Sequence, residues 1–366
     1  MCSPKQQTTR FPSMTSAALI GDASVIGATR DVVVAGRKLR TSPVFDTYWR
    51  FAAARQSVYF ARLREPEPLV QDPILAAHRF TNCYRASDRV SQFCIHEVAY
   101  AGSQDLRDVV FRVLLFKFFN KIDTWRLLEA ELGPITSSRW RPELAQAVLD
   151  AAWAAGRRLY SPAYVIPPPR LGGERKHHDH LLLAATMIRD GLPDRLQAAR
   201  GLPQVFELLR EYPGLGDFLA FQFTIDLNYT SVLDFSENQF VVAGPGARDG
   251  IRKCFGLGAR GIEDSIIAYM VDTQEEHFER LGLRFDYLGG RRLHLIDCQN
   301  LFCEVDKYAR VAHPEIAGIS GRTRIKQQYR RASELMPTPW FPPKWGITDE
   351  VQKQARRTET SPSRHG

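Results

Sequence analysis

Between Leu106 and Phe119 the chain is almost continuously apolar, with Val109, Val110, Phe111, Val113, Leu114, Leu115 and Phe116 following one another. A helix with that composition has no face to offer water, so it must sit at the centre with other elements wrapped around it. The run is shorter than the ~18–20 apolar residues that a membrane span needs, and no other stretch approaches that length. On both sides the apolar residues recur at three- and four-residue spacing. Helices are predicted over Phe45–Arg64, Ile74–Tyr84, Ser87–Tyr100, Asp123–Leu132, Pro142–Tyr160, His180–Asp190, Leu192–Ala199, Leu202–Glu211 and Asp217–Leu227. Pro162–Gly173, with four prolines, is a loop. Long β-type alternation is absent, so the expected class is all-α, a single large helical domain over residues 41–333. Residues 1–40 read as a flexible tail with a short strand at Val32–Ala35. Residues 334–366, with Pro337, Pro339, Pro342 and Pro343, read as an extended strap and a disordered basic tail.

The chain has 366 residues, 44% hydrophobic and 25% charged, enough for a sizeable core. Its 49 Lys and Arg against 41 Asp and Glu leave a net charge of +8, which suits a polyanionic partner. The N-terminus lacks the pattern of a secretory leader. Six cysteines without CxxC spacing argue against a disulfide framework and for a reducing cytoplasmic or nuclear compartment. Cys298 and Cys303 are badly spaced for zinc. His177, His178 and His180 read as a basic loop more readily than as ligands, so no metal and no cofactor are expected.

Tyr212-Pro213-Gly214-Leu215-Gly216 joins two of the predicted helices in the sequence form of a helix-hairpin-helix. Gly214 and Gly216 allow tight backbone angles. They also leave N–H groups free at the start of the second helix, where a phosphate oxygen of double-stranded DNA can bind. An ordinary tight turn is the plainer reading. Lyase-type glycosylases with this hairpin carry a lysine at the second position after the last glycine. Here that residue is Phe218, so amine-dependent lyase chemistry has no support, and Asp234 and Glu237 lie outside any recognisable glycosylase context.

Three polar groupings follow. Asp226, Asn228 and Tyr229 close the second hairpin helix and can read the edge of an extruded base, or merely cap the helix. Gly244–Gly250 is a glycine-rich turn in which Arg248, Asp249 and backbone donors suit a phosphate or pyrophosphate, with a second hairpin-like turn as the alternative. On a helix over Leu295–Arg310, Asp297, Asn300, Glu304, Lys307 and Tyr308 fall on one arc at ~100° per residue. Leu301, Phe302, Val305 and Ala309 fall on the adjacent core side. Such an arc can hold a base, an amine and a leaving group in register, or be a solvated face with a Glu304–Lys307 pair.

Several segments occur together: Y-W-R-F from Tyr48, R-F-T-N-C-Y-R from Arg79, D-R-V-S-Q from Asp88 and L-F-K-F-F-N-K-I-D-T-W from Leu115. Y-S-P-A-Y from Tyr160, P-G-L-G-D-F-L-A-F-Q, D-L-N-Y, G-P-G-A-R-D-G-I-R-K-C-F and D-C-Q-N-L-F-C-E-V-D-K-Y follow in order. Over about Phe45 to Arg331 the chain resembles the α-glutamyl/putrescinyl thymine pyrophosphorylase family, the helical domain linked to 5-hydroxymethyl-deoxyuridine DNA kinases. The resemblance implies thymine hypermodification. A separate P-loop kinase pyrophosphorylates 5-hydroxymethyluracil in DNA, and the helical protein replaces pyrophosphate with an amine or amino acid. No GxxxxGK[ST] stretch occurs here, so the chain is expected to be the transferase partner. In that scheme Arg248 and backbone donors stabilise the departing pyrophosphate, and Glu304 or Asp297 deprotonates the amine. Asn228, Tyr229 and Gln299 read the flipped base, while Lys307 completes the reactive face. A non-catalytic base-sensing module and a divergent glycosylase remain open alternatives.

Overall fold

The computed structural model describes residues 29–163, 166–330 and 335–357. It is all-α apart from one small hairpin, β1 (Asp31–Val34) against β2 (Arg37–Arg40) in antiparallel register. The first helices are α1 (Pro43–Arg64), α2 (Pro73–Ala77), α3 (Arg89–Phe93), α4 (Leu106–Phe119), α5 (Ile122–Leu132) and α6 (Pro142–Ala154). After the proline-rich loop come α7 (Lys176–Arg189), α8 (Leu192–Gln197), α9 (Leu202–Arg210), α10 (Asp217–Asn228) and α11 (Pro245–Phe255). The last are α12 (Glu263–Asp272), α13 (Gln274–Arg280), α14 (Leu295–Ala312) and α15 (Thr348–Arg356).

Local chemistry sets the boundaries. The Ser42 hydroxyl accepts the Val44 N–H at 3.1 Å with Pro43 at the first helical position, which starts α1. Asp72 accepts from Ile74 and Leu75, both at 2.8 Å, and starts α2. Left-handed Asn120 ends α4.

The expected central helix is central. Val109, Val110, Val113, Leu114 and Leu115 are fully buried, and α4 packs against α7, α8 and α10. A second group forms around α14, which packs on α1, α11 and α12. Arg112, charged yet buried, donates to the carbonyls of Val98, Ala99 and Ser103, so a cation inside the apolar helix satisfies a neighbouring turn.

Four expectations need correction. The helix predicted over Ile74–Tyr84 stops at Ala77, because the N–H groups of Thr81, Asn82 and Arg85 go to the carboxylates of Glu304, Asp88 and Asp297. The one predicted over Ser87–Tyr100 is a short α3 followed by a widened π turn over Cys94–Ala99. That predicted over Pro142–Tyr160 ends at Ala154, where Gly156 turns left-handed at φ +77°. The segment read as part of a disordered tail contains α15, whose Val351 is fully buried and which packs on α1. The first 28 residues and residues 358–366, also read as tails, lie outside the described residues.

Candidate functional site

Where α4, α10 and α14 converge, the R-F-T-N-C-Y-R segment inserts Arg85 into the interior. The guanidinium meets both oxygens of Asp226 at 2.9 Å in a fork, with 2% of either side chain exposed. Lys117, from the apolar run of α4, reaches the same carboxylate at 2.6 Å and Asn120 at 3.1 Å. Arg85 Nε also donates to Gln222 Oε1 at 3.2 Å. Two cations and one carboxylate therefore meet in a buried space.

Two more carboxylates border this cluster. Asp297 accepts from the N–H of Arg85 at 2.9 Å and of His294 at 3.0 Å; burial pushes its carboxyl up to about 6. Glu237 pairs with Arg291 at 2.5 Å, and burial pushes it up to about 7. Between them Tyr229 is buried, its hydroxyl without a hydrogen-bond partner among the described residues, and Arg85 lies 6.0 Å from its ring centroid. Trp345 meets the Tyr229 ring edge-on at 5.3 Å and carries Arg291 over its face at 3.9 Å. Lys344 donates to the carbonyls of Asn228 (2.6 Å), Thr230 (3.1 Å) and Leu233.

The predicted site residues are distributed between three places. Asp226, Tyr229 and Asp297 belong to the cluster. Asn228 is adjacent, but its amide exchanges two hydrogen bonds with the backbone of Phe235 and so holds the following loop. The arc on α14 is not a solvated face. Asp297 and Glu304 reach to Arg85 N and Thr81 N (2.9 Å), clamping the segment between α2 and α3, and Tyr308 donates to Asp72 (2.7 Å) at the start of α2. Lys307 pairs with Glu304 at 2.6 Å, and Asn300 is half-buried beside them.

Gln299 points to the opposite side of α14, toward Cys303 at 3.3 Å, with Oε1 buried and unpartnered among the described residues. There α11 lies close. A Cβ at Gly250 would stand 2.1 Å from the Phe302 carbonyl and one at Gly246 would stand 3.1 Å from Cys303 Sγ. The glycines of G-P-G-A-R-D-G thus permit close helix approach. Asp249 accepts from Ser320 N at 2.7 Å, while Arg248 is exposed at the first turn of α11. In the turn between α9 and α10, Gly214 has φ +83°, Leu215 is buried and Gly216 precedes α10 with extended backbone.

Sequence reasoning passed over Arg85, Lys117, Arg291 and Lys344 and left Glu237 without a role. Lys117 carried a signal: a lysine inside a fully apolar helix must find an anion. The histidines lie in the first turns of α7. His177 and His178 Nε2 both meet Asp150 Oδ1, at 2.8 and 3.0 Å, and the three ligand atoms lie within 4.8 Å of one another. That set has ligand chemistry, yet Arg175 occupies the same oxygen at 2.7 Å, so a protein cation already serves it.

A family model described as the helical domain of 5-hmdU DNA kinase matches residues 42–318. The chain belongs to that family. A 5-hmdU DNA kinase of Bacillus phage SP10 is 24% identical over 299 residues, covering 74% of this chain and 46% of that protein. The chain therefore spans under half the length of that relative. No solved structure matches. The matched stretch of the helical-domain family holds Arg85, Lys117, Asp226, Glu237 and Asp297 together. Among the described residues no helix is long and apolar enough to cross a membrane.

Proposed function

We propose that this chain acts on DNA carrying a pyrophosphorylated 5-hydroxymethyluracil and replaces the pyrophosphate with an amine. The observation that carries the reading is the Arg85 cluster. Within a family tied to 5-hmdU DNA kinases, it holds two carboxylates near neutrality beside an unpartnered phenol. A base held near pH 7 takes a proton from an ammonium nucleophile efficiently. Asp297, at about 6, is placed for that step, with Glu304 the alternative. The bond from the benzylic-type carbon to the pyrophosphate oxygen breaks as the nitrogen–carbon bond forms, and the proton leaves to the carboxylate. Arg248 and free N–H groups at the start of α11 take the departing pyrophosphate. Gly214 and Gly216 grip the DNA backbone, and Tyr229 reads the extruded base, while Gln299, on the opposite side of α14, lies beside the start of α11. Asn228 acts indirectly, through the loop it holds. Asp249 and Tyr308 support the fold around the site, and Lys307 holds Glu304 in place through their ion pair. The phosphorylated substrate comes from a separate P-loop kinase.

The test is incubation of the full chain with DNA containing pyrophosphorylated 5-hydroxymethyluracil and candidate amines, followed by mass spectrometry of the nucleosides. An aminated nucleoside with release of pyrophosphate is expected. An abasic site would make the chain a glycosylase, and binding without either product would make it a base-sensing module.

A further inference from the structure

The loop between α6 and α7 borders a cleft of about 640 Å³ that none of the sequence motifs explains. Its walls are Trp153, Arg157, Arg158, Tyr160, Arg175 and Lys176, with His177 at the base. Among the described residues no carboxylate lines it. Arg157 and Arg158 are exposed and make no ion pair with any described residue, so their charges are unspent. Arg175 lies 4.2 Å from the centroid of Trp153, and Lys176 lies 4.0 Å from that of Tyr160. Trp153 is 54% exposed although it is the largest apolar side chain of α6. A solvent-facing indole among free arginines is the pairing that single strands of nucleic acid use, bases stacking on the ring and phosphates on the cations.

The cleft is also joined to the hairpin turn. His180 bonds the Tyr160 hydroxyl at 2.8 Å and the Pro167 carbonyl at 3.0 Å. That same carbonyl lies 3.5 Å from where a Cβ of Gly214 would stand. One loop therefore has the cleft on one side and the turn on the other.

We propose that this cleft is a second DNA-binding surface, holding the strand that runs on from the hairpin. Arg157, Arg158 and Lys176 take its phosphates, and the outer face of Trp153 takes an unpaired base. The inference rests on the DNA reading above. Its test is a salt titration of binding to a mixed-sequence duplex and to the same single strand. Wild type is compared with R157A/R158A, W153A and W153F, and with R139A as an exposed arginine outside the cleft.

The double variant should bind roughly ten- to hundredfold more weakly, with the slope of log K against log salt reduced by about 0.7–0.9 for each phosphate that it no longer neutralises. W153A should weaken the single strand about tenfold with W153F largely restoring it, and R139A should match wild type. Unchanged affinity and slope in the double variant, with wild type still binding DNA, overturns the cleft and leaves the DNA reading standing. Absence of DNA binding by wild type overturns both. Inorganic pyrophosphate is titrated in parallel. If the double variant loses pyrophosphate but keeps DNA, the cleft serves a small anion and the strand proposal fails.

Discussion

Asp226 pairs with two buried cations at once, and its removal exposes what that arrangement costs. D226A leaves Arg85 and Lys117 without this carboxylate in a low-dielectric interior, and a loss of about 3–5 kcal/mol in urea denaturation is expected. E211Q, which breaks the exposed Arg195–Glu211 pair, should cost less than about 1 kcal/mol in the same assay. Glu237 predicts a pH effect of definite sign. The unfolded chain releases this proton near 4.5 and the folded chain near 7, so between those values the folded state holds the extra proton. The contribution of this group therefore falls as pH rises from about 4.5 to about 7, and E237Q should remove that slope from a series of denaturation curves. For Asp297, the amination rate should rise through about pH 6, and D297N should lose that rising limb as well as rate. These residues were unequally legible. Lys117 was passed over although a cation inside an apolar run carries a signal. Arg85 carried none, because an arginine at the end of a mixed motif looks the same whether it faces water or the core.

Helix types and centres were legible because periodicity reports burial, and α4, α9, α10 and α14 fall close to where the pattern put them. Tertiary partners were not. Two distant carboxylates, Glu304 and Asp297, take the N–H groups of Thr81 and Arg85, nearby Asp88 takes that of Asn82, and a helical pattern cannot announce that the chain will be pulled straight there. The pairing of α11 with α14 makes a sharper case. The glycines at 246 and 250 read as a phosphate turn, yet their missing side chains let one helix lie on the backbone of another. G250A should lower the thermal midpoint strongly, with a cost of about 3 kcal/mol or more, since Phe302 backbone must move. G216A should leave the midpoint nearly unchanged, because its Cβ would meet nothing within 4 Å and its φ is −71°. Any loss of DNA affinity in G216A then belongs to the turn and not to the fold.

Across the whole molecule, the cluster is built from segments far apart in the chain. Arg85 comes from the first quarter, Asp226 and Glu237 from the middle, Asp297 from α14, and Lys344 and Trp345 from the last described stretch. Truncation after residue 334 removes Phe341 and Val351, both fully buried, and should lower stability on the order of 5 kcal/mol in equilibrium unfolding. The all-α class and the central helix were readable from composition and spacing alone. The closing role of the C-terminal stretch was not, since prolines and charges dominate it and its few apolar anchors are widely spaced. That closure has a consequence for synthesis. On the ribosome, Arg85 and Asp226 emerge long before Trp345, and α1 must wait for α14 and α15 to fill its surface. Non-local closure of this kind is slow and leaves apolar surface open in the meantime. The nascent chain thus carries an unfinished interior until Phe341 and Val351 have cleared the exit tunnel, the interval in which chaperones would have most to bind.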